Sequence, residues 1–187
     1  SIGGTIESIK FPQTLRRLKE GALNNQILKN MVLPAQLDTL SYLTFQGLAN
    51  LEEITFERPM PALLYIENPL NPSEGPYDLF QENTNLRKIY VPVDAAKAYM
   101  DAPWWALHGS KYREQLTIGA SGYTSYYLEN ENFKVPAGCT AYIITGITPS
   151  GSIMTPDQAV VKAFTAGKII PKQTGFILQG TPNTTVE

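Results

Sequence analysis

Few residues in this chain could carry chemistry, and their spacing argues against each reaction they suggest. His108 is the one histidine. A catalytic histidine needs a nucleophile to activate and a partner to orient it. Ser110 and Lys111 stand nearby without forming a recognised arrangement, and no Gly-x-Ser-x-Gly turn occurs. His108 is therefore expected on the surface or in a cap. Cys139, the single cysteine, has no partner for an intramolecular disulfide, and no cluster offers zinc-ligand spacing. It reads as a small buried hydrophobe.

Carboxylates fare no better. Glu52 and Glu53 are adjacent, so strand alternation would send them to opposite faces, not to one reaction centre. Glu129, Asn130, Glu131 and Asn132 crowd oxygens into one stretch, but calcium needs more ligands at organised spacing, and a solvated turn is expected. Gly119 to Gly122 lacks the lysine and following helix of a phosphate loop. Asn183-Thr184-Thr185 fits a glycosylation acceptor, a pattern common by chance. These residues point to a protein without catalysis, metal or cofactor. Net charge is −2, from 15 basic and 17 acidic residues, with no basic run, which disfavours nucleic-acid binding. No apolar stretch approaches about 18 residues, so no membrane insertion is expected in this fragment. Ser1 in place of methionine is compatible with a removed leader and says nothing about compartment.

What must position any functional residue is a repeat. Ile6-Glu7-Ser8-Ile9-Lys10-Phe11-Pro12, Leu28-Lys29-Asn30-Met31-Val32-Leu33-Pro34, Leu51-Glu52-Glu53-Ile54-Thr55-Phe56-Glu57 and Leu86-Arg87-Lys88-Ile89-Tyr90-Val91-Pro92 share one pattern of apolar positions. They start at residues 6, 28, 51 and 86, in steps of 22, 23 and 35. A step of 22 or 23 lies within the period of leucine-rich repeats, whose units each add one short strand to a parallel ladder. Strand alternation then buries Ile9, Met31, Ile54 and Ile89, with Phe11, Leu33, Phe56 and Val91 beside them. Outside stand two rows, Ser8, Asn30, Glu53, Lys88 and Lys10, Val32, Thr55, Tyr90. These eight residues are the candidate partner-binding face, led by Lys88 and Tyr90.

Between the strands, Leu15 and Leu18 correspond to Leu37 and Leu40, and Ala22-Leu23 to Thr44-Phe45. Leu79-Phe80 precedes Leu86 as Thr44-Phe45 precedes Leu51, which puts an insertion of about a dozen residues between Glu57 and Asp78. The segment Glu57–Tyr77 holds Pro59, Pro61, Pro69, Pro72 and Pro76. It fits either a preformed contact surface, since proline reduces the entropy lost on ordering, or a repeat expansion packed by Leu63, Leu64, Tyr65 and Ile66.

The in-phase series resembles the BspA-type leucine-rich repeats of bacterial surface proteins over about 110 residues. Its last unit resembles that family's usual ending, a strand running into a short helix and a tryptophan. Asp94 is the expected N-cap of a helix over Ala95 to Met100, and Pro103 its stop. The resemblance makes Trp105 a buried cap residue. Trp104 either packs beside it or serves as an exposed aromatic platform for a sugar.

After Glu114 the helical periodicity fades. Strands are predicted at Gln115–Ile118, Tyr123–Leu128, Thr140–Ile144, Ala159–Thr165 and Gly175–Leu178, with turn signals between them. Val135 to Tyr142 and Ile169 to Phe176 resemble the short β-domain often appended to surface proteins of gut bacteria. The chain ends on Thr184-Thr185-Val186-Glu187, which reads like the start of a strand.

The expected fold is thus mostly β, an α+β chain. A short leucine-rich-repeat solenoid with parallel ladder and helical cap (1–114) precedes a small all-β sandwich or barrel-like domain (115–187). The resemblance implies a secreted or cell-surface protein that recognises other proteins, of host or bacterial origin, in adhesion. Two other readings stay open: a glycan-binding or accessory module using Trp104, Tyr123, Tyr126 and Tyr127, and an architectural spacer.

Overall fold

In a computed structural model of the chain, residues 6–23, 27–66 and 78–187 are described. Contacts divide the chain into two compact units, Ser1–Glu114 and Gln115–Glu187.

The first unit runs β1 (Ser8–Lys10), β2 (Arg17–Leu18), β3 (Asn30–Leu33), β4 (Thr39–Ser41), β5 (Glu53–Phe56), β6 (Leu63–Tyr65), β7 (Lys88–Pro92), α1 (Ala96–Asp101) and a 3-10 segment, Ala106–Lys111. The 22- and 23-residue steps bring equivalent strands side by side. β1, β3, β5 and β7 pair in parallel with Ile9, Met31, Ile54 and Ile89 in register. Met31, Ile54 and Ile89 are fully buried, as are Leu33, Phe56 and Val91, whereas Ile9 on β1 and Phe11 just after it are half-covered. Each buried side chain contributes roughly 1.5–3 kcal/mol against exposure.

The connections repeat as closely as the strands. Leu15 and Leu37 each donate a backbone N–H three residues back, to the carbonyls of Pro12 and Pro34. A second, narrower parallel ladder follows, β2–β4–β6, with Leu18, Leu40 and Leu64 in register. Leu63–Tyr65 therefore continue the repeat. The expansion begins later than Glu57, and its prolines 69, 72 and 76 lie outside the described residues, as does the reading that made the whole segment a contact surface.

Asp94 is not the N-cap. It sits at φ +66° before Ala95, the residue that occupies the cap position without a side-chain bond. The orphan amides are met from far along the chain instead. Glu114 accepts from Asp94 N–H at 3.0 Å and from Ala96 N–H at 2.8 Å. Beneath the helix, Trp105 meets Phe56 and Tyr99 edge-on, each at 5.2 Å between ring centres, and Phe45 stacks on Phe80 at 5.2 Å. Such pairs add about 0.5–1.5 kcal/mol each beyond area burial.

Strand β8 (Tyr112–Thr117) begins in the first unit and ends in the second, which contains β9 (Tyr123–Tyr127), β10 (Phe133–Lys134), β11 (Thr140–Thr148), β12 (Gln158–Thr165), β13 (Ile169–Ile170), β14 (Gly175–Gln179) and β15 (Thr185–Val186). Four form an antiparallel sheet in the order β12-β11-β14-β9, while β10 pairs with β13 and β15 with Leu116 and Thr117 of β8. The short strands β10 and β13 carry too few residues to show alternation in sequence. Phe133, Cys139, Ala141, Ile170, Phe176 and Leu178 form part of the interior. Gly180 leaves no room for a side chain, since a Cβ there would stand 3.0 Å from Cys139 Sγ and 3.3 Å from Ile118 Cγ1. Burial raises the Cys139 thiol above its ordinary pKa, which disfavours the thiolate.

Candidate functional site

The outward rows are in register as the sequence requires: Ser8, Asn30, Glu53 and Lys88 in one, Lys10, Val32, Thr55 and Tyr90 in the other. Adjacent strands lie about 4.8 Å apart, so each row is a fixed comb of side chains. Ser8, Lys10 and Asn30 are exposed, and Val32, Glu53, Thr55 and Lys88 are half-exposed.

Tyr90 departs from the expectation. It is 8% exposed, because β7 is buried on both faces through Ile89, Tyr90 and Val91. Lys88 folds along it, donating to the Tyr90 hydroxyl at 2.9 Å with its ammonium 5.3 Å from the ring centre. The residue ranked first for partner contact is thus covered, and its neighbour is engaged with it.

Sequence reasoning overlooked the column just before the strands. Glu7, Lys29, Glu52 and Arg87 occupy the second position of each unit and alternate in sign. Each N–H of the next unit bonds to the carbonyl of the last at 2.8 Å, which holds the column in line. Lys29 pairs with Glu7 at 3.2 Å and Arg87 with Glu52, and Lys10 reaches Glu57 at 3.0 Å. The ladder's edge therefore neutralises itself and presents no field of one sign. Reading the second position down the repeats would have exposed the pattern.

Asn83 was missed too. Buried beneath the third repeat, its amide donates to the Phe45 and Leu48 carbonyls, both at 3.0 Å, tying neighbouring units together. His108 is buried within the 3-10 segment. Its Nε2 lies 2.5 Å from Asp78 Oδ1, its ring stands edge-on to Phe80 at 5.0 Å, and Asp78 also accepts from Phe80 N–H.

The aromatic candidates separate. Trp105 is buried as expected. Trp104 is 36% exposed and held at φ +71°, a conformation costing a bulky residue about 1–3 kcal/mol. Its ring meets Tyr42 edge-on at 6.2 Å, and both line a depression of about 430 Å³ with Arg58, Pro61 and Leu63. Tyr123 and Tyr127 are exposed on β9. Tyr126, on the opposite face, packs on Phe176 and exchanges hydrogen bonds with Thr117, so it offers no platform.

A family model described as BspA type leucine rich repeat region, with six copies, matches residues 3–100, just over half of the chain. The chain belongs to the BspA-type leucine-rich repeat family. Comparison with curated proteins gave no match. As BspA-type repeats, its units contribute mostly β structure around a parallel-strand sheet, an arrangement suited to contacts with other proteins. Among the described residues, no helix is long and apolar enough to cross a membrane, and no group of three or more His, Cys, Asp and Glu side chains could hold a metal.

Proposed function

We propose that this is a secreted or cell-surface adhesion protein that recognises other proteins through the outer face of its repeat ladder, without catalysis. The observation carrying this reading is the registered double row, whose Ser8, Lys10, Asn30, Val32, Glu53 and Thr55 keep solvent access. Solenoids bind partners through such faces because successive units hold side chains at fixed spacing. Family membership supports the surface location and the binding role. On this reading the face centres on β3 and β5, away from Tyr90, and residues 1–114 and 115–187 are separate domains.

The mixed, self-neutralised charge favours a partner held by shape and hydrogen bonds over one steered by field. Beads coated with the chain, tested on immobilised extracellular-matrix proteins and on bacterial cells, should adhere. Doubly substituted V32R/T55R beads should lose at least tenfold in retention while the protein keeps its fold. Equal retention by both would remove the ladder face from the function.

A further inference from the structure

The depression beside β6 carries an inference independent of the ladder face. One wall is aromatic. Trp104 presents a part-exposed ring, with the Tyr42 ring perpendicular to it. The Tyr42 hydroxyl has no hydrogen-bond partner among the described residues. Arg58 lines the depression as well. Arg58 Nε is buried without a partner, Nη1 reaches only the Ala35 carbonyl at 3.5 Å, and no carboxylate pairs with the guanidinium among the described residues. Asp38, also on the rim, is already engaged, by Arg16 at 3.8 Å and by the Thr39 hydroxyl at 2.7 Å.

An aromatic ring face beside a guanidinium that no described carboxylate pairs selects a ligand with a flat apolar face and a carboxylate. We propose that this groove binds an acidic pyranose residue of a polysaccharide, its C–H face on Trp104 and its carboxylate on Arg58. The ring hydroxyls of such a sugar would satisfy the Tyr42 phenol, which a purely apolar ligand would leave unpaired. Arginine suits the carboxylate because its planar fork offers charge-assisted bonds in fixed directions. The unfavourable backbone at Trp104 is consistent with a ring held out for a ligand, since strain persists where function requires it.

The test titrates the full chain with trigalacturonic acid and 3′-sialyllactose, against the methyl ester of the first and lactose for the second. Tryptophan fluorescence and the Trp104 indole N–H resonance report binding. At least one acid should bind and shift that resonance, with its neutral counterpart at least tenfold weaker. Trp104→Ala and Arg58→Gln should each weaken binding tenfold or more, and the milder Tyr42→Phe several-fold with the melting temperature unchanged. Failure of both acids to bind would overturn the proposal. So would equal binding of acid and neutral sugar, a response that leaves the Trp104 indole unmoved, or preference for a peptide with a free C-terminal carboxylate over both sugars.

Discussion

The Tyr99 hydroxyl donates to the Arg58 carbonyl at 2.9 Å while its ring is packed against Phe56, Trp105 and Tyr112. Burial, and then the neighbouring Tyr112, raise its pKa well above the ordinary value, an effect that Arg58 only partly offsets; burial raises Tyr112 likewise. The sign follows directly. Above pH of about 10 the unfolded chain sheds these protons and the folded chain keeps them, so the stabilisation present below that pH is lost as pH rises. Tyr99→Phe should cost about 1 kcal/mol at neutral pH, from the lost hydrogen bond, and should flatten the alkaline decline in urea midpoint. An unchanged slope would mean that the phenol titrates freely in the folded chain. Residues of this kind were only partly legible. Ile9, Met31, Ile54 and Ile89 could be read because they recur at one position of a counted repeat. Tyr90 sits at a position that faces outward elsewhere, and nothing in its own segment announces that β7 is covered on both sides.

Elements are specified by local pattern, but their ends are finished by distant residues. α1 has six residues, no acidic side chain in its first turn and no local cap, so in isolation it would be marginal. Glu114 supplies what it lacks, with one oxygen on Asp94 N–H and the other on Ala96 N–H. Glu114→Ala should destabilise the first unit by about 1–2 kcal/mol, and Glu114→Gln, which keeps one acceptor, by less. Hydrogen exchange at the Ala96 amide should quicken in the order wild type, Gln, Ala. If it does not, the carboxylate is not the cap. Sequence put the helix in the right place and chose Asp94, the nearest residue of a capping type. Propensity ranks types at a position and is blind to a side chain returning from 18 residues on. The same limit hid the groove, whose Tyr42 and Trp104 are neighbours only once the ladder has stacked. It left β6 open as well: the segment after Glu57 read either as a contact surface or as a packed expansion, and the pairing of Leu64 with Leu40 decides for the repeat.

At the scale of the molecule, a solenoid is quasi-one-dimensional: each rung is stabilised by the rungs beside it, and position along the stack sets the cost of damage. Ile54 has Met31 on one side and Ile89 on the other, and is wholly buried. Ile9 holds the same place in its unit but, among the described residues, pairs only with Met31 and stays half-covered. Identical chemistry should therefore have unequal consequences. Ile54→Ala should cost about 2–5 kcal/mol, the range for emptying a closed core site. Ile9→Ala should cost less than half as much, since a part-solvated side chain loses less burial and leaves a site that water can refill. Both tryptophans lie in the first unit, so their fluorescence follows its unfolding in urea without labels. Equal losses at the two sites would mean that the four isoleucine and methionine positions do not share one continuous seam, and the outer face would then lose the rigid backing that any recognition role requires.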